Sequence, residues 1–405
     1  MTRIPIARPL FGEEEIAAVA EPLRNGWVVQ GPKVAEFEQR FATFTDAKHA
    51  VAASNCTTAL HMAVAALGLK PGDEVIVPAF TWVSTANVVE YMGATPVFCD
   101  IALDTFNIDV AQIEARITPK TVGILPVHLF GLCADLDPIL DIARRRSLWV
   151  VEDAACAFGA WYRGRHAGTF GDAGCFSFHP RKSITTGEGG MLTTANDELA
   201  RKARSLRDHG ASRSDLARHH AASAFLLADY DDVGYNYRMT DLQAAVGCVQ
   251  MERAKSILDT RTARARVYDI ALRGLDWLRT PAVPDGYVHG YQAYVCLFQP
   301  EPLTLANLAS IEQRRNAIMT ALENEGIATR QGTHAAALTG FYRSKYGIEP
   351  EHFPNAAIAE RATLTLPLFP QMTDDEQMEV CERLRAQSPL PAGERARVRG
   401  GSGDA

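Results

Sequence analysis

Residues 151–191 read VEDAACAFGA (151–160), WYRGRHAGTFGDAGC (161–175) and FSFHPRKSITTGEGGM (176–191). An apolar run ends in the carboxylates Glu152 and Asp153. A turn-rich segment follows, then a second apolar run that leads to Lys182 beside a Gly-rich loop. The 29 residues from Asp153 to Lys182 suffice to leave one strand, cross a loop and hairpin, and bring a Lys back toward an Asp. Alternation along a strand points Glu152 and Asp153 in opposite directions, so one can serve a site while the other solvates or caps.

Working outward, short apolar runs alternate with helical segments. His49–Ser54, Glu74–Pro78, Thr95–Asp100, Gly123–Val127, Leu148–Glu152 and Ala173–Phe178 read as strands. Ala59–Gly68, Trp82–Tyr91 and Leu136–Arg145 read as helices between them. Strands separated by helices predict a doubly wound α/β domain with a mostly parallel sheet. Such sheets bind ligands beyond the carboxyl ends of their strands. Four features fall there: Ser54–Thr57, Pro78–Trp82, His128 and Asp153.

The flanks complete the plan. Residues 1–30 form an arm and a helix, Gly12–Asn25, and residues 31–250 the large domain. Residues 211–230 read as a loop-rich excursion. Thr240 or Asp241 caps a long helix, and an Arg-rich helix, Ala254–Leu272, crosses into a smaller α/β domain over 251–386. That domain should hold an antiparallel sheet including Tyr291–Phe298, helices Leu305–Glu325 and Asp374–Arg385, and a loop at 329–334. The Pro-, Gly- and Arg-rich tail, 387–405, reads as disordered.

The 405 residues can bury a large core. A net charge of -7 removes the basic bias expected of a nucleic-acid or anionic-membrane binder. Eight scattered cysteines, with no CxxC pair and no zinc-like Cys/His spacing, point to a reducing compartment and no metal. The segment MTRIPIARPLFGEEEI lacks signal-peptide form, and no window is apolar enough to span a bilayer. The cytoplasm is the expected location.

A Lys that carries a Schiff base must lose its proton, which calls for partial desolvation near other cations. Lys182 has Arg181 and His179 close in sequence, and Gly187, Gly189 and Gly190 leave room for a bulky ligand. The competing reading is a surface Lys in a turn. A P-loop is excluded, because its glycines precede the Lys-Ser pair and here they follow it. Asp153 is either the counter-charge of a ring nitrogen or the cap of the next turn. Asn55-Cys56-Thr57-Thr58 opens a helix after a strand, which suits a phosphate. Capping by Asn55 or Thr57 explains the same residues. Trp82 can stack on a flat ring or be a half-buried aromatic, and Ser177 can donate to a phosphate or satisfy a strand end. His128, His209 and His334, taken singly, read as structural.

Separated motifs carry a resemblance. They are GWVVQGPKVAEFE (26–38), ASNCTTALHMA (53–63), VPAFTWVSTAN (77–87), ILPVHLFG (124–131), VEDAACAFGA, FSFHPRKSITTGEGGML, RDHG (207–210), GYNYRMTDLQAAVG (234–247) and LPLFPQMTDDEQ (366–377). In this order, over residues 5–385, the chain resembles the DegT/DnrJ/StrS family of sugar aminotransferases. These are pyridoxal 5′-phosphate enzymes of the aspartate-aminotransferase fold (fold type I).

The resemblance implies that Lys182 anchors the cofactor covalently and shuttles a proton, and that Asp153 pairs with the ring nitrogen. It implies Trp82 against the ring face, and Cys56, Thr57 and Ser177 at the phosphate. Asn236 would reach that phosphate from the neighbouring subunit of a homodimer with shared sites. Two positions depart from the family pattern. Cys156 stands where Gln or another polar residue often lies near the cofactor, and Cys56 replaces the usual Gly before the phosphate-binding Thr. Gln30, His128, Arg330 and His334 are candidate substrate contacts. The implied reaction moves an amino group from glutamate or glutamine to a keto group of a nucleotide-linked deoxysugar, leaning to 4-amination of the perosamine-synthase kind. A keto-cyclitol of the scyllo-inosose type is the alternative acceptor. A PLP-dependent sugar dehydratase, in which a His replaces the anchor, is disfavoured by Lys182.

Overall fold

The computed structural model describes residues 3–212 and 229–387. Most of the 211–230 excursion, and the tail beyond residue 387, lie outside the described residues.

The first half of the chain supplies β1 (His49–Ala53), β2 (Glu74–Pro78), β3 (Thr95–Cys99), β4 (Thr121–Ile124), β5 (Trp149–Asp153), a short hairpin of β6 (Trp161–Tyr162) and β7 (Arg165–His166), β8 (Ala173–Ser177) and β9 (Gly190–Thr194). The second half adds β10 (Leu278–Arg279), β11 (Tyr287–Val288), β12 (Tyr294–Phe298) and β13 (Thr363–Leu366). Seven strands form the main sheet in the order β1-β9-β8-β5-β4-β2-β3. Every pairing from β8 to β3 is parallel, and β9 alone runs against both its neighbours. β1, β2 and β5 read as continuous apolar runs because helices cover both faces of a parallel sheet, and each strand buries four of its five residues.

Packing fixes the strands that carry the site. Phe176 and Phe178 flank Ser177 at the end of β8. Phe41 lies 4.9 Å from Phe176 and 5.5 Å from Phe178, ring to ring, and Phe37 lies 5.1 Å from Phe178. Each tilted aromatic pair adds about 0.5–1.5 kcal/mol beyond its area. The helix Pro32–Thr45 is thereby bound to β8.

Thr240 caps the next long helix through a reciprocal pair with Gln243. Asp241 caps a different one. Its carboxylate accepts from the amides of Gly31, Lys33 and Val34, at the start of Pro32–Thr45. The two long helices expected on either side of residue 250 are one, Asp241–Ala271. A boundary at 250/251 therefore falls inside a continuous helix. Ala244, Ala245 and Gly247 are small for packing rather than for a turn, so nothing in the stretch breaks it.

The smaller sheet, β10-β12-β13, is antiparallel as expected. Two features tie it to the rest of the chain. β11 pairs with β6 of the hairpin, and Ile4 of the N-terminal arm bridges Ile327. Among the described residues no helix is long and apolar enough to cross a membrane, and no cluster of His, Cys, Asp or Glu could hold a metal.

Candidate active site

A cavity of about 960 Å³ opens between the carboxyl ends of the main-sheet strands and the smaller lobe. Trp82, Asp153, Cys156 and Lys182 line it from the large lobe, and Arg330 and His334 from the 329–334 loop. Residues distant in sequence meet here because strand ends of a parallel sheet share one edge.

Asp153 is the last residue of β5 and is 4% exposed. Its Oδ2 accepts from Thr85 Oγ1 at 2.8 Å and its Oδ1 from the Ala155 amide at 3.1 Å. The second bond caps the turn after β5, so Asp153 caps while still facing the cavity. Thr85 Oγ1 has one proton and gives it to Asp153, so Thr81 Oγ1, 3.0 Å away, must donate to Thr85. Burial pushes the Asp153 carboxyl above its usual range, and the bonds from Thr85 and Ala155 partly offset that. A cationic N–H at this position would relieve the remaining cost.

Its neighbour faces the other way, as alternation requires. Glu152 is wholly buried. Oε1 accepts from the amides of Phe170 and Gly171, and Oε2 from Gly168 N and His128 Nε2, at 2.7–2.8 Å. Burial alone would raise its pKa, but His128, Gly171 and Gly168 outweigh burial and leave it lowered. Glu152 thus folds the 168–171 turn beneath the site.

Lys182 is half-buried at the cavity wall. Its amide donates to His179 O at 2.8 Å. The loop around it is pinned at both ends, by Phe178 N to Gly189 O at 2.9 Å and by Thr185 Oγ1 to Phe178 O at 2.7 Å. Lys182 Nζ lies 3.1 Å from Cys156 Sγ.

The helix Cys56–Ala66 points its N-terminus into the cavity. Asn55 caps it by accepting from Thr58 N at 2.9 Å. Capping and anion binding are compatible here, because the amides of Cys56 and Thr57 come first in the helix and have no acceptor within it. Cys56 is tolerated because its backbone is helical. Gly190 makes the cup possible. A Cβ there would collide with the backbone of Asn55 and Cys56, and Ser177, at the cavity wall, pairs with Gly190 across β8 and β9. The room at Gly190 therefore serves a backbone approach rather than a ligand.

The substrate-side residues divide. Trp82 is 54% exposed and lies 5.7 Å from the His334 ring, so the pair joins the two lobes at the cavity lip. Arg330 is exposed at the same lip, its backbone bridged to Thr365. The substrate contact expected of His128 is corrected. His128 is fully buried and absent from the cavity wall, and its Nδ1 accepts from Ala134 N at 3.0 Å while Nε2 faces Glu152. Both ring nitrogens are committed. Gln30 and Asn236 lie outside this chain's cavity wall. Gln30 is buried, and its Oε1 has no hydrogen-bond partner among the described residues; Asn236 is exposed.

Two contributors escaped the sequence reading. Thr85 lies one helical turn past Trp82, where a cap or packing role hides it. Tyr237 lines the cavity, accepts from Ser54 N through its carbonyl, and sets its hydroxyl 3.0 Å from His61 Nδ1. Its place in the GYNYRM motif was the available signal.

The groups fit pyridoxal 5′-phosphate: an amine for an aldehyde, a buried carboxylate for a ring nitrogen, and free helix amides for a phosphate. Comparison with known proteins agrees. A sequence model of the DegT/DnrJ/EryC1/StrS aminotransferase family matches residues 9–385. The Bacillus subtilis spore coat polysaccharide biosynthesis protein SpsC is 40% identical over 94% of this chain and 96% of its own. Spr1654 of Streptococcus pneumoniae, described as a candidate sugar aminotransferase and solved in a PLP form, superposes with a TM-score of 0.85 at 30% identity, over 94% of this chain and 97% of its own. The aminotransferase TlmJ of Streptoalloteichus hindustanus gives 0.85 at 31% identity, over 98% and 100%. The chain belongs to the DegT/DnrJ/EryC1/StrS aminotransferase family and is a transaminase that works with pyridoxal 5′-phosphate.

Proposed function

We propose that the protein transfers an amino group from glutamate or glutamine to a keto group of a nucleotide-linked deoxysugar, with 4-amination of the perosamine-synthase kind as the leading regiochemistry. The observation that carries the reading is the meeting of Lys182, Asp153 and the Cys56–Thr57 helix start on one cavity. SpsC, named for polysaccharide biosynthesis, supports a sugar acceptor. The cavity is at the upper end of ordinary ligand pockets, about 300–1,000 Å³, which suits a cofactor together with a sugar substrate.

When bound, pyridoxal 5′-phosphate supplies an electron sink that stabilises negative charge at the carbon losing a proton. Lys182 Nζ holds the cofactor aldehyde at rest. When free of the cofactor, Nζ would serve as the base and acid that moves the substrate proton. Asp153 keeps the ring nitrogen protonated, and Thr85 keeps Asp153 aimed. The Cys56 and Thr57 amides, with the Thr57 and Ser177 hydroxyls, hold the phosphate. Trp82 would bound the cofactor ring from the cavity lip, and Cys156, beside Lys182, would face it from the same wall. Arg330 and His334 meet the substrate at the lip.

Asn236, exposed and off its own cavity wall, would reach the phosphate held by a second copy, and the working unit would then be a homodimer with shared sites. Gln30, buried but likewise off its own cavity wall, is assigned to the substrate on the shared side. Eight free cysteines, seven of them buried, support a reducing, cytoplasmic setting.

The test is a screen of keto-sugar nucleotides and keto-cyclitols, each with glutamate and with glutamine, following aminated product by mass. Product from a keto-sugar nucleotide is expected. Product from keto-cyclitols alone would move the protein to cyclitol amination, and water loss without amination would make it a dehydratase.

A further inference from the structure

Cys156 takes no part in the proton transfer assigned to Lys182. It lies in the turn after β5, lines the cavity and is half-buried, whereas the other seven cysteines are buried. Cys175 lies off the cavity wall and Cys56, whose helix start lines it, is buried; burial pushes both thiols well above their usual range. Protonated and shielded, they are poor nucleophiles. Cys156 instead is half-buried at the cavity wall and places Sγ 3.1 Å from Lys182 Nζ. Two nucleophiles thus share one accessible wall, close enough for a bond after a small rotation.

We propose that Cys156 and Lys182 are a modification site, joined by a reversible sulfur–nitrogen bond under peroxide whenever the lysine amine is free of cofactor. The state dependence rests on the reading of Lys182 as the cofactor anchor. Cys156 Sγ attacks one oxygen of the peroxide and the O–O bond breaks. The thiol proton leaves with the other oxygen as water. Sulfur is oxidised by two electrons to a sulfenic acid, and the peroxide is reduced by two. The Nζ lone pair then attacks sulfur, the S–O bond breaks, and an amine proton leaves with the hydroxide as a second water. The protein loses two hydrogens and gains one S–N bond. A thiol reductant reverses it by attack on sulfur. Cofactor-free protein, and protein whose cofactor carries the donor's amino group, expose the free amine. Cofactor linked to Lys182 withholds it.

The experiment treats full-length, cofactor-free protein with hydrogen peroxide and maps peptides by mass. The expected product joins the Cys156 peptide to the Lys182 peptide, two hydrogens below their sum, and dithiothreitol separates them. Cys156→Ser should yield none. Prior loading with pyridoxal 5′-phosphate should cut the yield at least about tenfold, since the amine is then committed. In cofactor-free protein, Cys156 found unmodified, further oxidised, or joined to another cysteine overturns the site. Equal cross-linking with and without cofactor would leave the bond established and overturn Lys182 as the anchor instead.

Discussion

Thr85 Oγ1 donates a 2.8 Å hydrogen bond to Asp153 Oδ2 across 68 residues of sequence. The bond joins the start of the helix after β2 to the end of β5, two strands separated in the sheet by β4. It aims the Asp153 carboxylate, which lines the cavity from the end of β5.

Removing that donor should lower the rate as well as the stability. Thr85→Val keeps the shape and loses the bond to a charged acceptor, worth about 1.5–3 kcal/mol. A fall in kcat/KM of about tenfold to a hundredfold is expected, with Thr85→Ser restoring most of it. Steady-state kinetics decide it, and an unchanged kcat/KM would separate Thr85 from the chemistry.

Asp153 should show function opposing stability. A carboxyl raised by folding contributes stability below its unfolded pKa, near 3.9, and that contribution is lost as pH rises through the folded value. Folding of the cofactor-free protein therefore disfavours the ionised carboxylate. Asp153→Asn should leave cofactor-free stability at pH 7 equal or higher while activity drops at least about a hundredfold. Melting with and without cofactor, beside activity, reads both effects.

Glu152 predicts the reverse pH behaviour. Its lowered pKa means stability present above the unfolded value, near 4.3, and lost as pH falls through the folded value. Glu152→Gln replaces an acceptor with a donor against four donors. It should cost about 3–5 kcal/mol at pH 7 by chemical denaturation, shrinking in acid. An equal gap at pH 7 and pH 3 would mean the carboxylate charge is not what the site uses.

Gly190→Ala tests the phosphate cup. The new Cβ meets the Asn55 and Cys56 backbone, which cannot move without tilting the helix start. A stability loss of about 1–3 kcal/mol is expected. Cofactor affinity should fall too, measured by titrating cofactor-free protein. Full affinity despite lost stability would detach these amides from the phosphate.

Much of this is legible in the sequence. The alternation of Glu152 and Asp153 told that they part, and strand ends gathered Asn55, Trp82, Asp153 and Ser177 because parallel topology gives all strands a common edge. What stayed hidden was contact across crossovers. Thr85 reaches Asp153 through a sheet neighbour's neighbour, a relation with no local spacing. His128 shared the strand-end signal, yet its ring turns under the sheet to Glu152, and position along a strand does not fix where a ring points. The capped helix at Thr240 and the Arg-rich helix Ala254–Leu272 are one, Asp241–Ala271, because no residue between them breaks it, and Gly247 within it makes room for Phe37.

The direct measurement is borohydride reduction of the cofactor-loaded protein, followed by peptide mapping. Reduction fixes the cofactor to whichever amine holds it. A pyridoxyl group on Lys182, and none in Lys182→Ala, is the predicted result. A label on another lysine, or none on a protein that still transaminates, would contradict the assignment of Lys182 as the anchor.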